Sequence, residues 1–261
     1  MTEALAGAVV VVTGAGKGIG RHIALAFADA GATIAAVGRD VAALEAICEL
    51  IEARGARGLV APADVGEPDQ VAAMARRVLD ELGKVDVLVC NSGIAGPTAP
   101  LWEISPQEWA QTLNVNVTGT FLCCRALLPA MIERRGGAIV VIGSVSGKRP
   151  LHGRTPYTTS KLGLVGLVRT LAWETGEHGI RVNLISPGYV AGPRIERVIA
   201  AQATALDLTP DQARARFTSS SPLGGLTPPE DVAACAVFLA SPAAASITGE
   251  DLNVSAGVAM Y

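Results

Sequence analysis

The chain has 261 residues, half of them hydrophobic, with 29 glycines, 21 Lys and Arg against 24 Asp and Glu, and a net charge of −3. That length and apolar share suit one compact domain over 1–261, and with no run of Lys or Arg the charge excludes the electrostatic footprint of a nucleic-acid binder. Apolar stretches such as Ala8 to Val12 fall short of the roughly 18 residues of a membrane span, MTEALAGAVVVVTG lacks the pattern of an export signal, and five cysteines without C-x-x-C spacing fit reduced thiols, so a cytoplasmic, membrane-free protein is expected.

The first strand, predicted at 8–13, ends in TGAGKGIG, Thr13 to Gly20, where a helical pattern begins. A glycine-rich turn at a strand-to-helix junction lets backbone amides approach a pyrophosphate. Strand two (32–37) ends in VGRD, and Asp40 is the predicted N-cap of a helix to Arg54 that carries Leu44, Ile47 and Ile51 on one stripe. Strand three (58–61) leads to Asp64 and Val65, and strand four (85–90) leads to CNSG, Cys90 to Gly93, with Trp102 and Trp109 beyond it, where core packing is the default for tryptophan. A long helix is expected at 116–134. Strand five (137–143) runs into Ser144, then into a loop with His152 and Arg154, and then into a helix at 156–177 that begins YTTSK. Strand six (180–185) opens on SPGYV, Ser186 to Val190, and on an irregular segment at about 188–229 with helical patterns at 193–205 and 209–217, a lid or binding loop by length. A last strand is predicted at 250–254. Strands alternating with helices predict an α/β fold, a doubly wound parallel seven-stranded sheet of Rossmann type with helices on both faces.

The turn Gly14, Gly18, Gly20 reads T-G-x-x-x-G-x-G, and Tyr157 and Lys161 form Y-x-x-x-K thirteen positions after Ser144. In these motifs, in Asn116 within NVNVTGTF and in CNSG, the chain resembles the short-chain dehydrogenase/reductase family, in its single-domain branch, over nearly its whole length. The resemblance implies an NAD(P)-dependent oxidoreductase interconverting a secondary alcohol and a carbonyl compound. It implies Tyr157 as general acid/base, Ser144 on the substrate oxygen, Lys161 tuning Tyr157 and holding the nicotinamide ribose, and Asn116 positioning a relay water. The residues type-match the chemistry, because a tyrosine of ordinary pKa near 10 is a poor proton carrier at neutral pH and a lysine four positions on shares its helix face. The cofactor site implied comprises Gly14, Lys17, Gly18, Ile19, Gly20, Arg39, Asp64, Val65, Asn91, Gly93, Tyr157, Lys161, Pro187, Gly188 and Val190.

Gly38 stands where NAD-preferring members carry an acid, and Arg39 and Lys17 supply cations, so NADP(H) is favoured and NAD(H) is the alternative. Asp40, as an N-cap, is expected to point away. Cys90, in place of the family's first asparagine, reads as a buried small hydrophobe, and Gly192 replaces a threonine that often contacts the cofactor. For the substrate, His152, Tyr189 and Arg194 are candidates, Arg194 either for an anionic group or for a salt bridge to Glu196. An acyl-thioester ketoreductase and a dehydrogenase of sugars, terpenoid or aromatic alcohols both remain open, with a non-catalytic nucleotide sensor the bland rival. No metal site is expected. A homotetramer, or a homodimer, is expected by resemblance through helices 116–134 and 156–177, with Leu164, Val165 and Val168 at the contact and Tyr261 near a neighbour's site mouth.

Overall fold

The computed structural model describes residues 5–261; residues 1–4, which the expected domain range and the leader reading include, lie outside the described residues. Seven strands form one parallel sheet in the order β3-β2-β1-β4-β5-β6-β7, with β1 at Val9–Thr13, β2 at Thr33–Gly38, β3 at Gly58–Pro62, β4 at Val87–Cys90, β5 at Gly137–Ile142, β6 at Ile180–Pro187 and β7 at Asp251–Val254. This is the doubly wound arrangement the alternation predicted. Every residue of β1 and β4 is buried, as a strand covered on both faces requires. Side chains alternate across the sheet, so Val10 and Val12 belong to one core with Phe27, Ile34 and Ile47, while Val11 belongs to the other with Leu88, Leu127 and Ile139.

The helices follow from local signals. α1 (Gly18–Asp29) and α2 (Val41–Glu52) cover one face together with α9 (Pro229–Ala240), and Asp40 caps α2 through Oδ1, which accepts from Ala43 N at 3.2 Å. α3 (Pro68–Leu82), α5 (Gly119–Glu133) and α6 (Thr155–Thr175) cover the other face. The helix expected from 116 in fact begins earlier, as α4 (Pro106–Leu113), because Ser105 and Glu108 form a reciprocal capping box. It then passes through a π-helical turn, Asn114–Thr118, into α5. The run Pro106–Glu133 is long and apolar enough by composition to cross a membrane, with a mean hydropathy of 1.5, but Leu122, Leu127 and Met131 spend that apolarity on the sheet.

The segment between β6 and α9 carries α7 (Pro193–Ala205) and α8 (Pro210–Thr218), which bury Ile195, Ile199, Ala213 and Phe217 in a small core of their own. Sheet order reverses between β1 and β4, which opens a crevice at the carboxyl ends of the strands. Gly14, Arg39, Asp64, Asn91, Ser144 and Gly188 all lie one to two residues beyond those ends.

Candidate active site

The turn after β1 is shaped by missing side chains. Gly14 has φ +67, and a Cβ on it would stand 2.8 Å from Asn91 Nδ2, while a Cβ on Gly20 would collide with the Gly14 carbonyl. Asn91 closes the turn from β4: its N–H donates to Thr13 Oγ1 at 2.9 Å and its Nδ2 to Thr13 O at 2.9 Å. Asn91 thus ties β1 to β4 while Cys90 is buried against Cys123 and Cys124. At the start of α1, Lys17 is the N-cap residue and makes no side-chain cap, and no acid stands in the first turn, so the free amides face the crevice uncompensated. A turn of this shape, narrow, glycine-lined and opening on bare helix amides, fits a dinucleotide pyrophosphate.

Both cations expected at the adenosine end are present, and both meet carboxylates. Lys17 Nζ lies 2.6 Å from Asp40 Oδ2, and Arg39 Nη1 lies 3.4 Å from Asp64 Oδ2. Asp40 therefore does not point away; its second oxygen remains free after capping α2 and turns to Lys17. Asp64 Oδ1 also accepts from Gly66 N at 3.0 Å, and Val65 packs where Gly119 leaves room for it.

Tyr157 and Lys161 stand one turn apart near the start of α6, with the ammonium 5.8 Å from the ring centroid. Lys161 is buried, and its Nζ donates to Ile142 O, the last carbonyl of β5, at 2.8 Å. The 3₁₀ turn Val145–Gly147 presses onto α6, where a Cβ on Gly147 would come within 3.0 Å of the Lys161 backbone. That contact brings Ser144 beside the phenol. Ser144 Oγ accepts from Ser146 N and donates to Ser146 Oγ, each at 3.1 Å, and it also acts on Tyr157. Burial alone raises the Tyr157 pKa, but the charges of Lys161 and Arg194, the Ser144 hydroxyl and Arg154 outweigh it, so the phenol lies below its ordinary value. Burial lowers the Lys161 pKa more than the neighbouring phenol raises it.

Asn116 sits in the π turn, fully buried. Ile94 N donates to its Oδ1 at 2.8 Å, and its Nδ2 donates to Ile94 O at 3.0 Å and to Ser160 Oγ at 2.9 Å. Gly93 lies between the two sides of the site, since a Cβ there would stand 3.2 Å from Asn116 Oδ1 and 3.6 Å from Lys161 Nζ. Asn116, Ser144, Tyr157 and Lys161 thus share one end of the crevice, and the glycine turn, Lys17 and Arg39 share the other. Pro187, Gly188 and Val190 border it from β6, where Gly188 has room only because it lacks a Cβ, 2.9 Å from Ser255 Cα.

The chain matches the family model described as enoyl-(acyl carrier protein) reductase over residues 14–259. It is 41% identical to a D-threitol dehydrogenase from Mycolicibacterium smegmatis, over 97% of this chain and 93% of that one. Among solved structures it is similar to a short-chain type dehydrogenase/reductase from Mycobacterium marinum, with TM-score 0.89, 34% identity and coverage of 98% and 97%. It is also similar to an NAD+-bound xylitol dehydrogenase, with TM-score 0.91, 29% identity and coverage of 97% and 99%.

The chain belongs to the short-chain dehydrogenase/reductase family. NAD(P)-dependent oxidoreduction, the family's chemistry, fits the glycine turn and the Tyr157–Lys161 pair. Within this family member, the expected substrate residues divide. Arg194, at the start of α7, reaches Tyr157 with its Cζ 5.9 Å from the ring centroid, and the alternative pairing with Glu196 does not form, because Glu196 pairs with Arg214 across the lid. Tyr189 stacks edge-on against Phe217 of α8 at 5.1 Å. His152 is exposed, and no hydrogen bond or ion pair brings it to the phenol among the described residues. Trp102 is 85% exposed, so the core packing expected by default does not hold for it.

Sequence reasoning missed Arg154 as a site residue. Its Cζ stands 5.2 Å from the Tyr157 centroid, held by Nη2 donating to Ala95 O at 2.6 Å and Nη1 to Thr98 Oγ1 at 3.2 Å. Its position three residues before the tyrosine was the available signal. Lys148 carries no such local signal: its ion pair with Asp251, at 3.0 Å and nearly buried, joins the loop after β5 to β7 across more than a hundred residues.

Proposed function

We propose that this chain interconverts a secondary alcohol and a ketone, with Tyr157 as general acid/base. The observation that carries the reading is the phenol itself: a tyrosine beside a buried lysine and a serine hydroxyl, its pKa lowered below the ordinary range, at the end of a crevice shaped for a dinucleotide. When bound, the nicotinamide supplies or takes up the hydride. Tyr157 accepts the hydroxyl proton during oxidation and returns it to the carbonyl oxygen during reduction. Ser144 holds that oxygen by a hydrogen bond. Lys161 favours the phenolate by charge, and its remaining donors would hold the nicotinamide ribose when the cofactor is bound. Asn116 positions the relay water, and its own side-chain amide is held at both ends by Ile94 and Ser160.

NADP(H) is the favoured cofactor, with NAD(H) the alternative. Lys17 and Arg39 offer the 2′-phosphate two cations, and the exposed ion pairs it must displace are worth only about 0–1 kcal/mol each. The protein assembles as a homotetramer or homodimer through the outer faces of α5 and α6. Leu164 and Val168, expected at that contact, are buried against the sheet instead, because they share the stripe of Lys161; the outward stripe carries Leu162 and Trp173, with Phe121 on α5. Tyr261 lies on its own chain, where its hydroxyl donates to Lys148 O at 3.2 Å. A cytoplasmic location is the matching proposal.

A panel of secondary alcohols and ketones, including tetritols and a 3-oxoacyl thioester, assayed with both cofactors at the nicotinamide absorbance band tests the reading. Turnover of at least one pair, faster with NADPH than NADH, is expected. Binding of cofactor with no turnover across the panel favours the nucleotide-sensor rival.

A further inference from the structure

Two guanidinium groups converge on the reacting phenol from different elements. Arg154 comes from the loop before α6 and Arg194 from the first turn of the lid, with Cζ atoms 5.2 and 5.9 Å from the Tyr157 centroid. Lys161 stands 5.8 Å from the same ring. Three cations therefore surround one neutral or singly negative group. The charged groups acting on Tyr157, Lys161 and Arg154 are one another and Arg194, and no carboxylate is among them. The acid that was the natural partner for Arg194, Glu196, is engaged by Arg214.

Arg154 is fixed in this surplus by neutral acceptors only, the Ala95 carbonyl and the Thr98 hydroxyl. Its Nε is buried and has no hydrogen-bond partner. A buried donor left unmatched is unfavourable, and so are like charges brought together. Stacking on the tyrosine face offsets this for one arginine more readily than for two that repel each other. An anion docked against both groups offsets their repulsion: Arg194 meets it with its planar fork and Arg154 with the Nη hydrogens that Thr98 and Ala95 leave over, while the buried Nε stays out of reach.

We propose that Arg154 and Arg194 form an anion clamp at the mouth of the site, so that the substrate is a hydroxy acid or oxo acid, or its phosphate-bearing counterpart, whose anionic group docks between the arginines while its alcohol or carbonyl oxygen meets Tyr157 and Ser144. The clamp rests on the oxidoreductase reading above and narrows it: neutral polyols and simple ketones become poor substrates.

The test uses matched probes that differ only in charge. The oxo acids 3-oxobutanoate, 4-oxopentanoate and 5-oxohexanoate are compared with their primary carboxamides, and dihydroxyacetone phosphate with dihydroxyacetone, as substrates for reduction. The expected result is a kcat/KM advantage of tenfold or more for at least one acid over its amide, or for the phosphate over its parent; which arm shows it identifies the anion. Arg194→Gln erases that advantage chiefly through KM, and Arg194→Lys restores part of it. Equal rates for charged and neutral partners, or a preference for the neutral ones, overturn the clamp while leaving the oxidoreductase reading intact. If no ketone of either kind is reduced, that reading fails instead, and calorimetry decides the clamp: 4-oxopentanoate or dihydroxyacetone phosphate binding to the cofactor-loaded protein and lost in Arg194→Gln supports it, and absence of binding overturns it.

Discussion

Replacing Asn116 by alanine removes three hydrogen bonds at once and leaves their partners in place. Ile94 N–H and Ile94 C=O lose Oδ1 and Nδ2, at 2.8 and 3.0 Å, and Ser160 Oγ loses a donor at 2.9 Å but still donates to Tyr157 O at 2.7 Å. The two Ile94 groups are only part-buried, so each stranded group costs about 1 kcal/mol, and with a further bond of about 1 kcal/mol lost a destabilisation of about 3 kcal/mol is expected. For a domain of this size each kcal/mol moves Tm by about 2–4 °C, which puts the fall at about 6 °C or more. Thermal unfolding of the ligand-free protein by circular dichroism measures it. A Tm within about 1 °C of the parent would refute the claim that Asn116 holds the π turn to Ile94 and Ser160.

Other consequences are accessible to simple assays. Alcohol oxidation needs the phenolate, so its rate rises with pH and levels off above the Tyr157 pKa, whereas reduction falls over the same range. Lys161→Met removes a charge that lowers that pKa, so the inflection moves to higher pH; an unchanged profile sinks the tuning argument. Asp40→Ala frees Lys17 from its 2.6 Å ion pair and is expected to tighten NADPH binding about two- to fivefold relative to NADH, the scale of a surface pair. A fixed or reversed ratio in a fluorescence titration counts against Lys17 as a phosphate ligand. Trp173→Glu places a charge on a side chain that is 90% exposed on the outer face of α6, and light scattering is expected to show a smaller particle; an unchanged mass excludes α6 from the contact.

Much of this architecture could be read from the chain because its signals are local. Continuous apolar runs mark strands buried on both faces, and the Asp40 cap and the Leu44, Ile47, Ile51 stripe fixed α2 within two residues. Gly14 and Gly20 stand out because Gly14 has a left-handed backbone pressed against the Asn91 side chain and a Cβ on Gly20 would collide with the Gly14 carbonyl. What escaped depends on partners far apart in sequence. The Ser105–Glu108 capping box is a local signal for the start of α4, whereas the π turn has no sequence signature of its own. The ion pair of Lys148 with Asp251 and the Arg214–Glu196 pair that releases Arg194 are products of tertiary packing. The inward facing of Leu164 and Val168 shows the remaining limit: an apolar stripe says that a face is covered, and only the fold says whether the sheet or a neighbour covers it.

The central claim, that Tyr157 moves the proton, is tested most directly by Tyr157→Phe, which deletes only the hydroxyl. Cofactor affinity measured by fluorescence titration is expected to stay near the parent value while kcat, measured on whichever alcohol the panel identifies, falls by about three orders of magnitude or more. A variant that binds cofactor and turns over within about tenfold of the parent would contradict the account.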